Sequence, residues 1–158
     1  MTIFGKSLSE YFRFEKGFLL LIAAVGVARL VLSLAGVPNS SAKWVSITAV
    51  ALIGLVYYSV RVYTSGFGSY RELLPVIWLQ SFTAQLVIIA AIVLGILTQH
   101  DNIFTAPEYS GGGDGKTWFH AGAHLVLGTT VGPLVGWLVG CLIMFITKKV
   151  KREKPAMA

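Results

Sequence analysis

The residues best suited to chemistry cluster late in the chain. Its three histidines, His100, His120 and His124, share one region with Asp101, Glu108 and Asp114. His120 and His124 are four apart, so on a helix their rings share one face and can offer two nitrogens to one divalent metal. His100, Asp101 or Glu108 would supply a third ligand, and an open fourth position would admit a water for hydrolytic or redox work. Haem is the other cofactor this set could take, with His100 facing His124 across a bundle. Against a metalloprotease stands the spacer Ala121-Gly122-Ala123, which lacks the general base of an HExxH helix. The competing reading makes both imidazoles plain interfacial groups, satisfied by water and loop carbonyls.

A second set lies deeper. Arg29 is the only charged residue near the middle of an apolar run, and a charge at that depth points to a functional site. At ~1.5 Å per residue it sits ~16 Å above the start of its run, and Gln85 sits ~18 Å above the start of its own. Thr129 and Thr130 reach the same layer from the opposite end. Arg29, Gln85, Thr129 and Thr130 are therefore expected to form a polar pocket for an anion, a lipid head group or a quinone carbonyl. The alternative is a polar network that locks the helices, since interhelical hydrogen bonds of about 1–2 kcal/mol are ordinary glue.

The elements that must position these groups are apolar and long. The chain has 158 residues, 55% hydrophobic and only 13% charged, with a mean hydropathy of +0.72. Soluble domains average about 25% charged residues, so the deficit indicates a membrane protein. The pattern predicts an all-α, polytopic fold, a four-helix transmembrane bundle with spans at about 18–36, 44–63, 73–99 and 120–147. The first run exceeds the apolar core of a signal peptide and contains Arg29, so it reads as a true span. Residues 1–17, where Ser7 and Glu10 have capping-box spacing, are expected to form an amphipathic interfacial helix on the cytoplasmic side. Residues 100–119 form the outer loop, with Gly111 to Gly115 as a hinge, and 150–158 a basic cytoplasmic tail. The loop ends in Gly115-Lys116-Thr117 as a phosphate loop does, but Ser110 stands where a glycine is needed and no strand precedes it.

Every fourth residue from Gly128 to Gly140 is glycine (Gly128, Gly132, Gly136, Gly140). Such a glycine zipper lets another helix approach closely, within the chain or in a homo-oligomer or larger membrane complex. Pro133 interrupts this span and should free a carbonyl. Cys141 is the only cysteine, which excludes an internal disulfide.

The net charge of +6 does not point to nucleic acid, because the basic residues sit mostly at the ends of apolar runs. Their asymmetry puts both termini in the cytoplasm and the histidine loop outside the cell (inner) membrane. Two function classes follow. One is a membrane binding, transport or accessory subunit with a polar pocket in the outer half of the bundle. The other is a metal- or haem-dependent redox or hydrolytic enzyme built on the histidines.

Overall fold

The computed structural model describes residues 2–153. A small antiparallel hairpin, β1 (Thr2–Ile3) and β2 (Lys6–Ser7), precedes six helices. These are α1 (Leu8–Leu34), the short α2 (Asn39–Ala42), α3 (Ile47–Thr64), α4 (Tyr70–Thr98), α5 (Trp118–Ala123) and α6 (Val131–Glu153). A π-helical turn, His124–Gly128, joins α5 to α6, and the helical stretch Trp118–Lys151 behaves as one rod. Four helical stretches are thus long and apolar enough to span a bilayer.

Local chemistry explains where they start and stop. Ser7 and Glu10 do form a capping box, but they open a single uninterrupted helix. The separate interfacial helix expected over 1–17 is replaced by the hairpin and the first turns of α1. The hairpin turns at Phe4 and Gly5, both at positive φ, and Tyr11 clamps it by donating its hydroxyl to the Ile3 carbonyl at 3.0 Å. Ser69 and Glu72 form the same box at the head of α4, and Ser46 caps α3. α1 gives way to Gly36 at φ +82, and α4 stops at Gln99 in the left-handed region. The basic tail expected over 150–158 lies beyond the described residues except for the last turn of α6, which runs on to Glu153.

α3 and α4 lie between α1 and α6, and α4 packs on all three other long helices. The interior has two apolar clusters. One, at the end of the bundle that carries the chain termini, holds Tyr11, Leu19, Tyr58, Val62, Leu73 and Met144. The other holds Ile22, Ile47, Ala84, Ile92, Ile103 and Phe104. The outward surface is apolar as well, with Leu52, Ile53, Leu97, Leu138 and Leu142 all more than half exposed, as suits a hydrocarbon environment.

The glycine row does not act as one groove. A methyl on Gly140 would press on Ser59 Oγ at 2.7 Å and Leu73 Cδ2 at 2.9 Å, and one on Gly136 would meet Ile77 at 3.1 Å. Gly128 lies against the Gln85 amide, whereas Gly132 meets only a carbonyl of its own rod, at 3.8 Å. Three of the four therefore make room for side chains of α3 or α4 in the same chain. Steps of four residues advance about 40° each around an α-helix, so the row winds away from any single partner.

Gly140→Ala should lower the stability of the bundle by about 1–3 kcal/mol through over-packing. Gly132→Ala should be neutral or stabilise by about 0.5–1 kcal/mol by relieving backbone entropy in the helix. Thermal midpoints of the two variants in detergent check the contrast.

Candidate functional site

The loop after α4 is built rather than flexible where it meets the helices. Asn102 is buried and donates through Nδ2 to the Ala91 carbonyl at 2.9 Å, while its Oδ1 accepts from the Phe104 amide at 3.0 Å. The buried Thr105 hydroxyl accepts from the Asn102 amide at 3.0 Å. Ile103 donates its amide to Ser33 Oγ on α1 at 2.8 Å. Ile103, Phe104 and Ala106 are buried between these links, so 102–106 plugs one mouth of the bundle. Gly95 leaves room for it, since a methyl there would meet Thr105 Cγ2 at 2.9 Å.

Arg29 belongs to this plug. It is 9% exposed, and its guanidinium lies 5.2 Å from the ring centroids of both Phe104 and Tyr109. Two aromatic faces offer a desolvated cation favourable electrostatics, but Arg29 Nε has no hydrogen-bond partner. The pairing of Arg29 with Gln85 does not occur. Gln85 is taken by His124, whose Nδ1 lies 2.8 Å from its Oε1. An amide oxygen only accepts, so in this arrangement Nδ1 carries the proton.

His120 and His124 do share a face, with ring centroids 4.9 Å apart. His120 Nδ1 donates to the Gly115 carbonyl at 3.0 Å. Each ring thus spends Nδ1 on a fixed acceptor and keeps Nε2 free. His100 does not join them. It is exposed, on the far side of the plug in a depression with Ser33, Leu94 and Thr98. Among the described residues no group of three or more His, Cys, Asp or Glu side chains is placed to hold a metal ion. The expected set of His100, His120 and His124 does not form such a group; His100 lies beside Ser33 and Asn102 instead.

Thr129 and Thr130 turn their hydroxyls onto their own rod, bonding the Leu125 and Val126 carbonyls. They do not meet Arg29. The carbonyl freed by Pro133 is that of Thr129, four residues earlier, and Trp78 Nε1 on α4 donates to it at 3.0 Å. Beside this bond a cleft of about 450 Å³ opens between α4 and α6, walled by Pro75 and Trp78 on one side and Thr130, Pro133 and Leu134 on the other. Phe4 of the hairpin lines it as well.

One polar pair was not anticipated. Glu15 on α1 is 1% exposed, and its Oε2 accepts from Gln80 Nε2 on α4 at 3.0 Å. Glu15 Oε1 has no partner, a costly state for a carboxylate in an apolar interior. The signal was available: Tyr11, Glu15, Leu19, Ile22, Gly26 and Arg29 are the buried positions of α1, recurring every three or four residues, and Glu15 is in phase with Arg29. Gln80 also reaches a notch of about 150 Å³ between α3, α4 and α6, with Thr48, Ser81 and Gly132.

The chain matches no protein-family model, no curated protein and no solved structure.

At the exposed rim of the loop, Lys116 forms ion pairs with Asp101 and, at 3.5 Å, with Asp114. The bond to Asp101 holds the Lys116 ammonium above its ordinary 10.5. The Lys116 backbone amide, donating at 2.9 Å, holds the Asp114 carboxyl below its ordinary 3.8. Asp114 contributes above its unfolded value and loses that contribution as pH falls through its lower folded value. Lys116 contributes below its unfolded value and loses that contribution as pH rises through its higher folded one. Amide exchange at Gly113–Thr117, corrected for intrinsic rates, should show constant protection near neutral pH, loosening as pH falls through the lowered Asp114 range and as it rises through the raised Lys116 range. Lys116→Met should remove the high-pH limb and leave the low-pH one, since residue 116 keeps the backbone amide that Asp114 accepts from.

Proposed function

We propose that this protein is a small integral membrane binding or accessory subunit that holds a lipid-soluble, chain-like ligand in the cleft between α4 and α6. The observation that carries this reading is that the cleft's polar groups are already spent. The Thr129 and Thr130 hydroxyls are bonded within their own rod, and the Trp78 indole N–H is bonded to the Thr129 carbonyl. The exposed side chains that line it besides are Phe4, Leu8, Leu134 and the aromatic carbon of Trp78. At about 450 Å³ the cleft is within the usual range for small-molecule sites, about 300–1,000 Å³. Its walls belong to helices fit to span a bilayer, so an acyl or isoprenoid chain can enter sideways from the hydrocarbon. Two of the four residues expected in a ligand pocket, Thr129 and Thr130, line it; Arg29 and Gln85 serve the plug and the His124 contact instead. The enzyme reading has no assembled ligand set or nucleophile–base pair behind it among the described residues.

Mass spectrometry of organic extracts from the purified protein tests the binding. Wild type should carry about one equivalent of a lipid-soluble molecule, and Thr130→Trp, which fills the cleft, should lose most of it. Equal yields from the two proteins would overturn the reading.

The location we propose is the cell membrane, with both termini cytoplasmic. Lys6, Arg13, Lys16, Arg61, Arg71, Lys148, Lys149 and Lys151 gather at one end of the bundle, whereas the other carries Lys43 and Lys116 with Asp101, Glu108 and Asp114. In a Cys141→Ala background, Ser110→Cys should react with an impermeant thiol reagent in intact cells and Lys151→Cys should not. The reverse pattern would invert the topology.

A further inference from the structure

The end of the bundle that carries the termini has an unusual charge arrangement. Glu10, Glu15 and Glu72 there are each engaged by a neutral donor. Glu10 accepts from the Ser7 amide and hydroxyl, both at 2.7 Å. Glu72 accepts from the Ser69 amide at 2.6 Å, and Glu15 from Gln80. Both ion pairs among the described residues are at the opposite end, on Lys116. Several of the cations here lie over aromatic rings: Lys6 over Phe67, Lys148 over Tyr63 and Tyr70, and Arg61 over Phe14.

Arg61 and a further cation of this end, Arg13, line one cavity. Between α1 and α3 a space of about 570 Å³ has Arg13 and Arg61 on its walls, with Tyr57 and Tyr58 beside them. Arg61 is held in place: its Nη1 donates to the Tyr57 hydroxyl at 3.1 Å, and its guanidinium carbon lies 4.9 Å from the Phe14 centroid. Gly17 keeps the space open, since a methyl there would meet nothing within 4 Å. The remaining wall is apolar, Phe18 and Ile53. Ile53 is eight residues before Arg61 on α3, which puts it ~12 Å deeper along the helix. The cavity therefore runs from a doubly cationic rim to an apolar floor.

We propose that this cavity binds the phosphate group of an anionic membrane phospholipid. The phosphate lies between the Arg13 and Arg61 guanidiniums, and the glycerol and first acyl carbons run down over Gly17 to Phe18 and Ile53. Guanidinium forks match phosphate oxygens in pairs and carry a hydrogen-bond geometry that an ammonium lacks. A free phosphate would use the rim alone and leave the apolar floor empty; a lipid uses both. This site is distinct from the cleft between α4 and α6 and does not depend on it.

The test uses the full chain purified in a neutral detergent, titrated with dioleoyl phosphatidylglycerol and followed by native mass spectrometry. Wild type should retain one phosphatidylglycerol in preference to phosphatidylcholine. Arg13→Gln/Arg61→Gln should weaken retention about tenfold or more. Lys148→Gln/Lys149→Gln removes the same charge from the same end outside the cavity and should stay within about twofold. Gly17→Leu fills the cavity with the charge intact and should also lose the lipid; it decides the matter alone if the arginine variant fails to fold. Equal losses in the two charge-neutralised variants would mean diffuse attraction, and full retention by Gly17→Leu would mean the cavity is not used. Displacement by equimolar inorganic phosphate would assign the rim to a soluble anion. Each of these results would overturn the proposal.

Discussion

A polar group among apolar helices in hydrocarbon has no water to turn to, and this constraint shapes the interior of the molecule. The freed Thr129 carbonyl finds the Trp78 indole. His124 finds Gln85, Asn102 finds the Ala91 carbonyl, and Ser59 bonds back to Leu55. Most of these links join elements distant in sequence, so each fixes two helices, or a helix and the loop, in register. Apolar packing alone specifies register poorly between helices, because lipid tails solvate leucine about as well as another helix does. Among the described residues two buried side-chain atoms escape the rule, Glu15 Oε1 and Arg29 Nε. They lie on the same face of α1, one turned to Gln80 and the other to the plug.

The fourth span shows how a local defect is put to use. Pro133 removes a backbone donor, the π-helical turn His124–Gly128 widens the rod just before it, and Gly128 sits flush against the Gln85 amide. Without a side chain at 128 that amide can reach His124. The irregularity also holds Thr129 where its carbonyl faces α4 and Trp78. The cleft beside Pro75 and Pro133 lies next to this bond. A regular helix with a leucine at 128 would close both the His124 contact and the carbonyl contact. Irregular backbone within an apolar helix is tolerated where protein groups satisfy it, and here Trp78 satisfies the freed carbonyl.

Much of this could be read from the chain, and the failures share a cause. Four long apolar helices, the Ser7–Glu10 box, the shared face of His120 and His124 and the carbonyl freed by Pro133 all follow from spacing along one element. The partners do not. Equal depth suggested Arg29 with Gln85, but depth leaves the direction around the helix open, and Arg29 faces the loop. The glycines Gly111 to Gly115 point to a hinge and say nothing of Ile103-Phe104-Thr105-Ala106, an earlier and mostly apolar run of the loop that is buried. His100 lies at the edge of that run, in the depression with Ser33 and Asn102. Glu15 was assigned to a surface helix because a chain break was expected near residue 17, where α1 in fact continues. Written out with α1 unbroken, the stripe from Tyr11 to Arg29 places Glu15 inside.

The two ends of the bundle solve opposite electrostatic problems. At the plugged end the acids pair with Lys116 and the loop folds back on itself, so the surface there is closed and nearly self-neutral. At the other end Glu10 and Glu72 cap helices and Glu15 takes Gln80, while Lys6, Arg61, Lys148 and Lys151 rest on aromatic faces that cancel none of their charge. A capping glutamate keeps its negative charge, and Lys6 and Arg13 still feel that of Glu10. Lysines and arginines nonetheless outnumber the glutamates there, so the net field around the helix ends is positive. In a bilayer that field meets anionic head groups, and a concave rim holding two of those cations over an apolar floor turns general attraction into a place for one molecule.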